Sequence, residues 1–372
     1  VYLMKRFLLI SPKNRTTYNF RGDLIRDIQE LGYKVTVTGP NQDHIDAIKA
    51  LGVDFVEIPM NKDGINPIAD LRYIIALRKL MHTLKPDATL GYTIKPVIYG
   101  GIAAKLAKVK NINSMITGVG FLFTSRSPKA KLLKGIAVGL YTYALKCASH
   151  IIFQNNDDRL EFVEKGFATE NKTSVVNGSG VNMKHFAPSP YPETITFFML
   201  GRLLHSKGVM EYLKAAKIVK SRHPEVNFNL LGNIAHRMQD AIEESIIMKY
   251  VTDGIINLLP ETNDVRPAYT ECSVFVLPSY REGTPRSVLE AEAMARPVIT
   301  TDTQGCRNTV IDGYNGFLVP VGDSGAIAAA MERFISDPSL IASMGANSLQ
   351  LCREKYEVDK VNQDMLSIMQ LS

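Results

Sequence analysis

The sequence predicts an α/β protein built from two doubly wound, parallel-sheet domains. Its 372 residues exceed what one ordinary hydrophobic core organises. Short β-rich runs alternate with amphipathic stretches, which is typical of a parallel sheet covered by helices on both faces. The alternation stops at a Pro- and Gly-rich stretch, residues 178–193, and then starts again. We therefore expect one domain over residues 1–186 and a second over residues 187–355.

In the first half, β-rich runs predict the strands RFLLIS (6–11), KVTVT (34–38), ATLGY (88–92), INSMIT (112–117) and HIIFQ (150–154). A basic pair precedes the first run, as in a signal peptide, but the apolar run is short and favours a buried strand. Residues 22–32 are a predicted helix, because Leu24, Ile28 and Leu31 fall on one face. Residues 66–86 repeat this pattern between two prolines.

In the second half, the predicted strands are residues 194–200, 226–231, 254–259, 273–278, 297–301 and 316–319. Residues 356–372 are expected to form a helix that crosses back to the first domain. In open α/β sheets ligands bind beyond the carboxyl ends of the strands, so we expect the site in a cleft faced by both domains.

Charge is distributed unevenly along the chain. Residues 1–185 hold 26 Lys and Arg against 15 Asp and Glu, whereas residues 186–372 hold 17 against 22. No acidic residue occurs between Asp87 and Asp157, although that stretch holds nine Lys and Arg. This asymmetry indicates a polyanionic or membrane-surface partner for the first half, or else a merely basic face.

The loop after the first strand of the second domain predicts an anion site. In GRLLHSKGVMEYLKAA, Gly201 permits close backbone approach, and Arg202 and Lys207 precede an amphipathic helix over 208–222. Two cations beside a helix N-terminus suit a diphosphate, because fixed charge and free N–H groups converge there. On this stretch alone, an ordinary solvated loop is the open alternative.

A second anion site is predicted in YREGTPRSVLEAEAMA, after the strand SVFVLP. Its loop carries Glu282 and Thr284, and Pro285 begins a helix where its missing N–H costs nothing. The helix start then offers an anion the N–H groups of Arg286, Ser287, Val288 and Leu289. Glu290 is placed to reach a ribose diol, and Glu282 the group beyond the phosphates. The spacing of the two glutamates is uninformative without this context.

Together these stretches resemble the retaining, nucleotide-sugar-dependent glycosyltransferases of the GT-B fold, often called family 4. The resembling segments are GRLLHSKG, VLPSYREGTPRSVLEAEAMARPVITTD, IDGYNGFLVP and VVNGSGVNMKHF. The resemblance implies that Arg202 and Lys207 hold the donor diphosphate and neutralise the leaving group. It implies that Glu282 contacts the transferred sugar, Glu290 the ribose, and the amides of residues 284–289 the phosphate and sugar. The nucleotide base of the donor is expected to lie near Leu259 and Pro260.

The first domain has a narrower resemblance, carried by TTYNFRGDLI, GYTIKP and TGVGFLF. These segments are similar to bacterial enzymes that extend a sugar on undecaprenyl diphosphate, N-acetylgalactosaminyl transferases among them. The acceptor or phosphate candidates within them are Tyr18, Arg21, Lys95, Thr117 and Gly118. The chain departs from many relatives in two places. Its first loop, KNRTTYNF, has no glycine pair. After the fourth strand, where many relatives place a His, this chain reads GYTIKP and offers Lys95 as a cationic contact to a phosphate. The alternative is that Lys95 only caps a surface loop.

For the reaction, the resemblance implies a UDP-sugar donor and no cofactor. No carboxylate is clearly placed as a nucleophile, so same-face transfer through an oxocarbenium-like state is expected, with the leaving diphosphate stabilised electrostatically. The sequence contains no Asp-x-Asp. A metal-bound diphosphate is therefore not expected.

A basic amphipathic helix is predicted within residues 125–150, in the acid-free region. Apolar residues recur there at helical spacing, and Lys129, Lys131 and Lys134 cluster at one end. Such a helix suits the anionic inner leaflet, although a helix packed on the sheet with a basic end fits as well. Nucleic acid is not expected, since no aromatic platform interleaves these lysines. The expected location is the bacterial cytoplasm, peripheral on the inner membrane.

Other functions fit the sequence less well. A glycosyltransferase with a soluble acceptor and a UDP-sugar 2-epimerase-like enzyme remain as alternatives. A phosphorylase would use a lysine that binds pyridoxal phosphate, and a periplasmic binding protein would carry an export signal. A Rossmann dehydrogenase would show GxGxxG after its first strand, where this chain reads SPKNRTTYNF.

Overall fold

The structure is a computed structural model that describes residues 4–61, 66–118, 128–233, 238 and 240–371; of residues 128–134 and 136 it describes only the backbone. The chain divides into two compact units. The first comprises Val1–Ser179 together with Asp359–Ser372, and the second is Gly180–Val358. The boundary falls at Gly180 rather than at residue 187, because Val181 and Phe186 are buried in the core of the second unit.

The first unit contains a seven-stranded parallel sheet of order β3-β2-β1-β4-β5-β6-β7. Its strands are β1 (Arg6–Ile10), β2 (Lys34–Gly39), β3 (Asp54–Glu57), β4 (Ala88–Tyr92), β5 (Asn111–Ile116), β6 (His150–Phe153) and β7 (Thr173–Val175). The predicted parallel sheet is confirmed. The strands β3 and β7 were not predicted; both lie at sheet edges and are only partly buried, so they carry little apolar pattern.

The helices of the first unit pack on both faces of this sheet. They are α1 (Asn14–Glu30), α2 (Ile45–Lys49), α3 (Pro67–Leu84), α4 (Gly101–Leu106), α5 (Pro128–Cys147) and α6 (Asn156–Glu164). Side chains of β1 alternate between the two layers, as strand geometry requires. Phe7 and Leu9 pack in the layer that contains α1, whereas Leu8 and Ile10 pack in the layer that contains α3, α4 and α5.

The helix α1 begins at Asn14, earlier than the predicted start at residue 22. The first loop has no glycine pair, so NRTTYNF continues into the helix instead of forming a longer turn. Asn14 Nδ2 donates to the carbonyls of Asn41 and Asp43 at 2.8 and 2.7 Å, which fixes the helix start against the loop after β2.

The second unit contains a six-stranded parallel sheet of order β10-β9-β8-β11-β12-β13. Its strands are β8 (Thr196–Leu200), β9 (Asn227–Leu231), β10 (Asn257–Leu259), β11 (Val274–Leu277), β12 (Val298–Thr301) and β13 (Gly316–Val319). Its helices are α7 (Val209–Lys220), α8 (Glu244–Thr252), α9 (Arg266–Thr270), α10 (Arg286–Ala293), α11 (Ser324–Ser336) and α12 (Ser339–Leu351). The second predicted parallel sheet is confirmed.

The last helix, α13 (Val358–Ile368), packs against the sheet of the first unit. Val361 and Met365 are buried in the same core cluster as Leu9. Asn362 Nδ2 donates to Asp27 Oδ2 at 2.7 Å, which ties the helix to α1. The carboxyl-terminal segment thus completes the core of the first unit.

Candidate functional site

An ion pair joins two loops at the carboxyl edge of the second sheet. The strands β8 and β11 pair directly, so the loops that follow them are neighbours. The first loop ends in the short turn His205–Lys207, and Lys207 Nζ contacts Glu282 Oε1 on the second. These side chains are 20% and 14% exposed, so both reach the surface while being largely shielded. The structure therefore brings together two residues that were predicted to share a site.

Backbone contacts hold the two loops in this arrangement. Tyr280 N donates to Ser206 O at 2.9 Å, and Ser279 Oγ donates to the same carbonyl at 3.2 Å. Gly208 has a φ of 72°, and a Cβ atom there would lie 2.0 Å from Pro278 O. Only glycine tolerates both the positive φ and the close approach to Pro278 O. Gly208 therefore fixes the backbone position of the neighbouring Lys207.

The helix α10 starts at Arg286, and Pro285 is its N-cap with an extended ψ of 106°. The prediction that Pro285 is the first helical residue is wrong by one position. Val288 N and Leu289 N donate to Pro285 O at 3.0 and 3.3 Å, so neither amide is the free donor that the sequence predicted. Their side chains are buried in the core. Among the described residues, no partner is found for the Ser287 amide, so it stays available as a first-turn donor for an anion.

Glu290 lies one turn further along α10, with both carboxylate oxygens in contact with neighbours. Arg286 Nε donates to Oε1 at 3.1 Å, and the Tyr269 hydroxyl lies 3.2 Å from Oε2. Burial raises the pKa of Glu290, and the Arg286 guanidinium opposes this shift. A carboxylate has about four acceptor positions, so two contacts leave capacity for hydroxyl donors. Tyr269 was not predicted, because nothing in the local sequence RPAYTEC relates it to Glu290.

Leu259 and Pro260 lie at the carboxyl end of β10, on the same sheet edge as Gly201. Gly201 N donates to Leu231 O at 3.1 Å, which connects the loop after β8 to the end of β9. Beside them, Asn233 Nδ2 donates to Glu261 Oε1 at 2.6 Å. These three strand ends form one edge, but no described contact joins Leu259 to the Lys207–Glu282 pair.

The loop that precedes β13 packs under Glu282. Glu282 N donates to Gln304 O at 3.1 Å, and Gly305, with a φ of 78°, lies against the carbonyls of residues 282 and 283. The Asn308 carbonyl accepts from Lys355 Nζ at 3.0 Å and from the Tyr356 hydroxyl. The loop is therefore held by its backbone from both sides.

The buried carboxyl group of Glu292 helps to hold the loop that precedes β13. Glu292 is fully buried, and Asn315 Nδ2 donates to its Oε1 at 3.1 Å. The same amide donates to Thr309 O at 3.1 Å, so the carboxyl group helps to orient the loop end. Burial raises the pKa of Glu292 well above its ordinary value, and the nearby Lys355 opposes the shift. Sequence reasoning missed Glu292, since one acid within an alternating EAEA run looks like a surface residue.

Arg202 is exposed on the loop after β8. Its Nη1 lies 3.4 Å from Met238 Sδ, and no contact with Lys207 or Glu282 is recorded within the described ranges. Its role at the diphosphate stays a prediction.

In the first unit, Lys95 lies after β4 and forms a buried ion pair. Its Nζ is 2.9 Å from Asp70 Oδ1 on α3, and the Tyr99 hydroxyl donates to Asp70 Oδ2 at 2.8 Å. The Lys95 charge is therefore compensated by Asp70, which the sequence did not indicate. Burial and Asp70 together raise the pKa of Tyr99.

Of the other predicted acceptor residues, Tyr18 and Arg21 lie in α1, which follows β1, and Thr117 and Gly118 directly follow β5. Arg21 is buried, with Nη2 2.9 Å from Met115 Sδ and its guanidinium 5.4 Å from the Tyr92 ring. The Tyr18 ring centre lies 5.8 Å from that of His44. Thr117 and Gly118 follow β5 and are half-buried. The rest of TGVGFLF, and the side chains of Lys129, Lys131 and Lys134, lie outside the described residues.

The described parts of the chain hold neither a metal-ligand cluster nor a membrane-spanning helix. Among those residues, no group of three or more His, Cys, Asp and Glu side chains is arranged to hold a metal ion. No helix there has the length and apolar character needed to cross a membrane.

Comparisons with known proteins agree in fold and family. The family model described as "Glycosyl transferases group 1" matches residues 182–350, and "Glycosyl transferase 4-like" matches residues 7–155. A glycosyltransferase structure from Rickettsia africae has a TM-score of 0.79 at 17% identity, covering 99% of this chain and 98% of its own. Anabaena Alr3699/HepE in complex with UDP and glucose has a TM-score of 0.80 at 17% identity, covering 98% and 99%.

Two curated bacterial relatives match over most of their length. The N,N'-diacetylbacillosaminyl-diphospho-undecaprenol alpha-1,3-N-acetylgalactosaminyltransferase of Campylobacter jejuni is 26% identical over 360 residues, covering 93% of each chain. The UDP-Gal:alpha-D-GlcNAc-diphosphoundecaprenol alpha-1,3-galactosyltransferase of Escherichia coli is 28% identical over 337 residues, covering 86% of this chain and 82% of its own.

Proposed function

Since the chain belongs to the GT-B glycosyltransferases, within the group 1 and 4-like glycosyl transferase families, we propose that it transfers one sugar to an undecaprenyl-diphosphate-linked saccharide. The donor is a UDP-sugar carrying a hexose or an N-acetylhexosamine, with N-acetylgalactosamine the first candidate. Support for the acceptor comes from relatives of matching length whose names specify diphospho-undecaprenol sugars. The product is a precursor of a cell-surface glycan or of protein glycosylation.

The observation that carries the donor site is the Lys207–Glu282 ion pair beside the start of α10. In the proposal, Lys207 and Arg202 hold the donor diphosphate and stabilise the charge that develops as it leaves. Glu282 accepts hydrogen bonds from the transferred sugar, Glu290 from the ribose, and the end of β10 contacts the uracil. The amides of Thr284 and Ser287 contact the phosphate and sugar.

The reaction is proposed to retain configuration and to use no metal. The carboxylates of Glu282 and Glu290 both have charged or hydroxyl neighbours: Glu282 contacts Lys207, and Glu290 contacts Arg286 and Tyr269. We assign these groups to binding and to electrostatic stabilisation, with same-face delivery of the acceptor hydroxyl. The cations supply the charge compensation that a metal ion gives in other phosphoryl chemistry.

The first unit is proposed to bind the acceptor at the peripheral, cytoplasmic side of a bacterial inner membrane. Its excess of Lys and Arg matches the anionic leaflet and the acceptor diphosphate. In the proposal, Thr117 and Gly118 contact the acceptor from the end of β5 and Tyr18 from α1, while Lys95 and Arg21 act from buried positions.

A UDP-release assay tests this proposal across several UDP-sugars, each with a lipid-diphosphate saccharide, with the free saccharide, or with no acceptor. Release that requires both one UDP-sugar and the lipid diphosphate is the expected result. Equal release with the free saccharide would establish a soluble acceptor instead. Release without any acceptor, together with a new monosaccharide, would establish the 2-epimerase-like alternative.

A further inference from the structure

The outward face of α3 carries a stripe of large apolar side chains. Ile68, Leu71 and Ile75 are 67%, 57% and 57% exposed. Their spacing of three and four residues places them on one side of the helix, one turn above another. The opposite side of α3 packs in the core through Tyr73, Leu77 and Met81. Scattered exposed apolar residues need no explanation, but a continuous stripe on one helix indicates a binding surface.

Cations flank this stripe, and within the described residues of α3 no exposed acid accompanies them. Arg72, Arg78 and Lys79 are exposed on the same side of α3. Among the described residues, none of the three takes part in an ion pair. The one acidic residue of the helix, Asp70, is buried and bound to Lys95 and Tyr99. The outward face of α3 is therefore apolar and purely cationic, as an interfacial helix requires.

We propose that this face of α3 docks the protein on an anionic phospholipid bilayer. Ile68, Leu71 and Ile75 enter the boundary between head groups and acyl chains, while the three cations contact lipid phosphates. The inference rests on the proposed function, in which the acceptor is anchored in a membrane. A second copy of this face is a poorer partner, because a two-fold contact would bring like charges together.

The same helix connects the docking face to the predicted acceptor residues. Asp70 lies one residue from Leu71 but points to the other side, where it holds Lys95 at 2.9 Å. The loop after β4 is therefore fixed directly behind the surface that meets the bilayer. This places a membrane contact and an acceptor candidate on opposite sides of one rigid helix.

Co-sedimentation with vesicles tests the docking surface. The full chain is mixed with phosphatidylglycerol–phosphatidylethanolamine vesicles or with phosphatidylcholine vesicles, at low and high salt. The wild type is expected to bind the anionic vesicles and to bind less at high salt. Two triple variants, I68S/L71S/I75S and R72E/R78E/K79E, should each bind at least roughly tenfold more weakly.

Matched controls remove the same chemistry elsewhere. The variant L160S/M248S/I311S changes three other exposed apolar residues, and K214E/K217E/K249E changes three other exposed lysines. Both should bind vesicles like the wild type, and all variants should keep its thermal midpoint. If both α3 variants bound the anionic vesicles as tightly as the wild type does, the proposal would be overturned. If only K129E/K131E/K134E lost vesicle binding, the docking surface would lie on α5 instead. If the wild type were a dimer that dissociated only in the α3 variants, this face would bind a second copy of the chain.

Activity in detergent separates this inference from the proposed function. With a detergent-solubilised lipid-diphosphate acceptor, the apolar-stripe variant should turn over like the wild type, because the acceptor no longer lies in a bilayer. Absence of transfer by the wild type itself, under every donor tested, would reject the proposed function. Transfer in detergent combined with vesicle binding that ignores α3 would reject only the docking surface.

Discussion

The ammonium group of Lys207 contacts the carboxylate of Glu282 across two loops that follow neighbouring parallel strands. The contact compensates both charges while the side chains remain partly exposed. A donor diphosphate would bring additional negative charge to the same ammonium group, which can then serve both the phosphate and Glu282. The pair therefore couples the proposed sugar contact to the proposed diphosphate contact.

Replacement of Lys207 by Ala is expected to reduce turnover by about 10²-fold or more, as the loss of a strong charge-stabilising donor does. Steady-state kinetics with the preferred UDP-sugar measure this effect. Lys214→Ala, an exposed lysine on α7 away from the loops, is the matched control and should be neutral. Near-normal turnover in the Lys207 variant would reject its role at the leaving group.

Glu282 and Glu290 are expected to lose activity in different ways. Glu282→Gln should lower kcat while UDP binding is kept, because in the proposal this carboxylate contacts the transferred sugar. Glu290→Gln should weaken UDP binding by roughly tenfold, because a charged acceptor for the ribose hydroxyls is lost. Calorimetric titration with UDP, beside kinetics, separates the two. Equal UDP affinity in both variants would contradict the ribose assignment.

The buried pair of Asp70 and Lys95 predicts a stability effect that is independent of catalysis. Asp70→Asn leaves the Lys95 charge buried without compensation, so the free energy of unfolding should fall by about 3 kcal/mol. Urea unfolding measures this loss. Asp70→Asn combined with Lys95→Met should recover part of it, because the uncompensated charge is then gone. If the loss in the double variant equalled the sum of the losses in Asp70→Asn alone and Lys95→Met alone, the two groups would not interact.

Glu292 predicts a pH dependence of stability. Burial raises its pKa in the folded state, so the folded state binds a proton more tightly than the unfolded one. Stability should therefore fall as the pH rises above the ordinary glutamate value, until the folded-state pKa is passed. Glu292→Gln keeps the acceptor for Asn315 and removes the titration. Its thermal midpoint should exceed that of the wild type at about pH 8, with a smaller difference at about pH 5. A constant difference between the two pH values would contradict the assignment.

Chelation with EDTA tests the proposal that the reaction needs no metal ion. Turnover after treatment with EDTA is expected to match turnover before it, because in the proposal Arg202 and Lys207 supply the positive charge at the diphosphate. Collapse of activity in EDTA, with recovery on adding back Mg²⁺ or Mn²⁺, would show that a metal ion holds the diphosphate instead.

The strands could be predicted from the sequence wherever they are buried on both faces. ATLGY and GFLV form strands over the predicted residues, because a continuous apolar run bounded by turns has one interpretation in an α/β chain. The edge strand β3 could not be predicted, since its exposed and half-buried residues carry little apolar pattern, whereas the edge strand β13 is mostly buried. The start of α1 was placed too late, because its first turns are polar and are fixed by contacts with Asn41 and Asp43.

The site was predictable where a local pattern specifies it and not where packing does. Lys207 and Glu282 follow strands whose order is set by the fold, so their proximity could be expected. The capping geometry of Pro285 depends on one backbone torsion, which the sequence G-T-P leaves open. The partners Tyr269 for Glu290 and Asp70 for Lys95 come from distant elements, and no spacing rule connects them.

The mass of the lipid-linked acceptor after incubation with UDP-sugars tests the central claim most directly. With the wild type, one UDP-sugar should add one sugar residue to the undecaprenyl-diphosphate-linked saccharide, and the Lys207→Ala variant should form that product at least about 10²-fold more slowly. Product formed at equal rates by the two proteins would contradict the donor site. An acceptor whose mass stays unchanged with every UDP-sugar would contradict the proposed reaction.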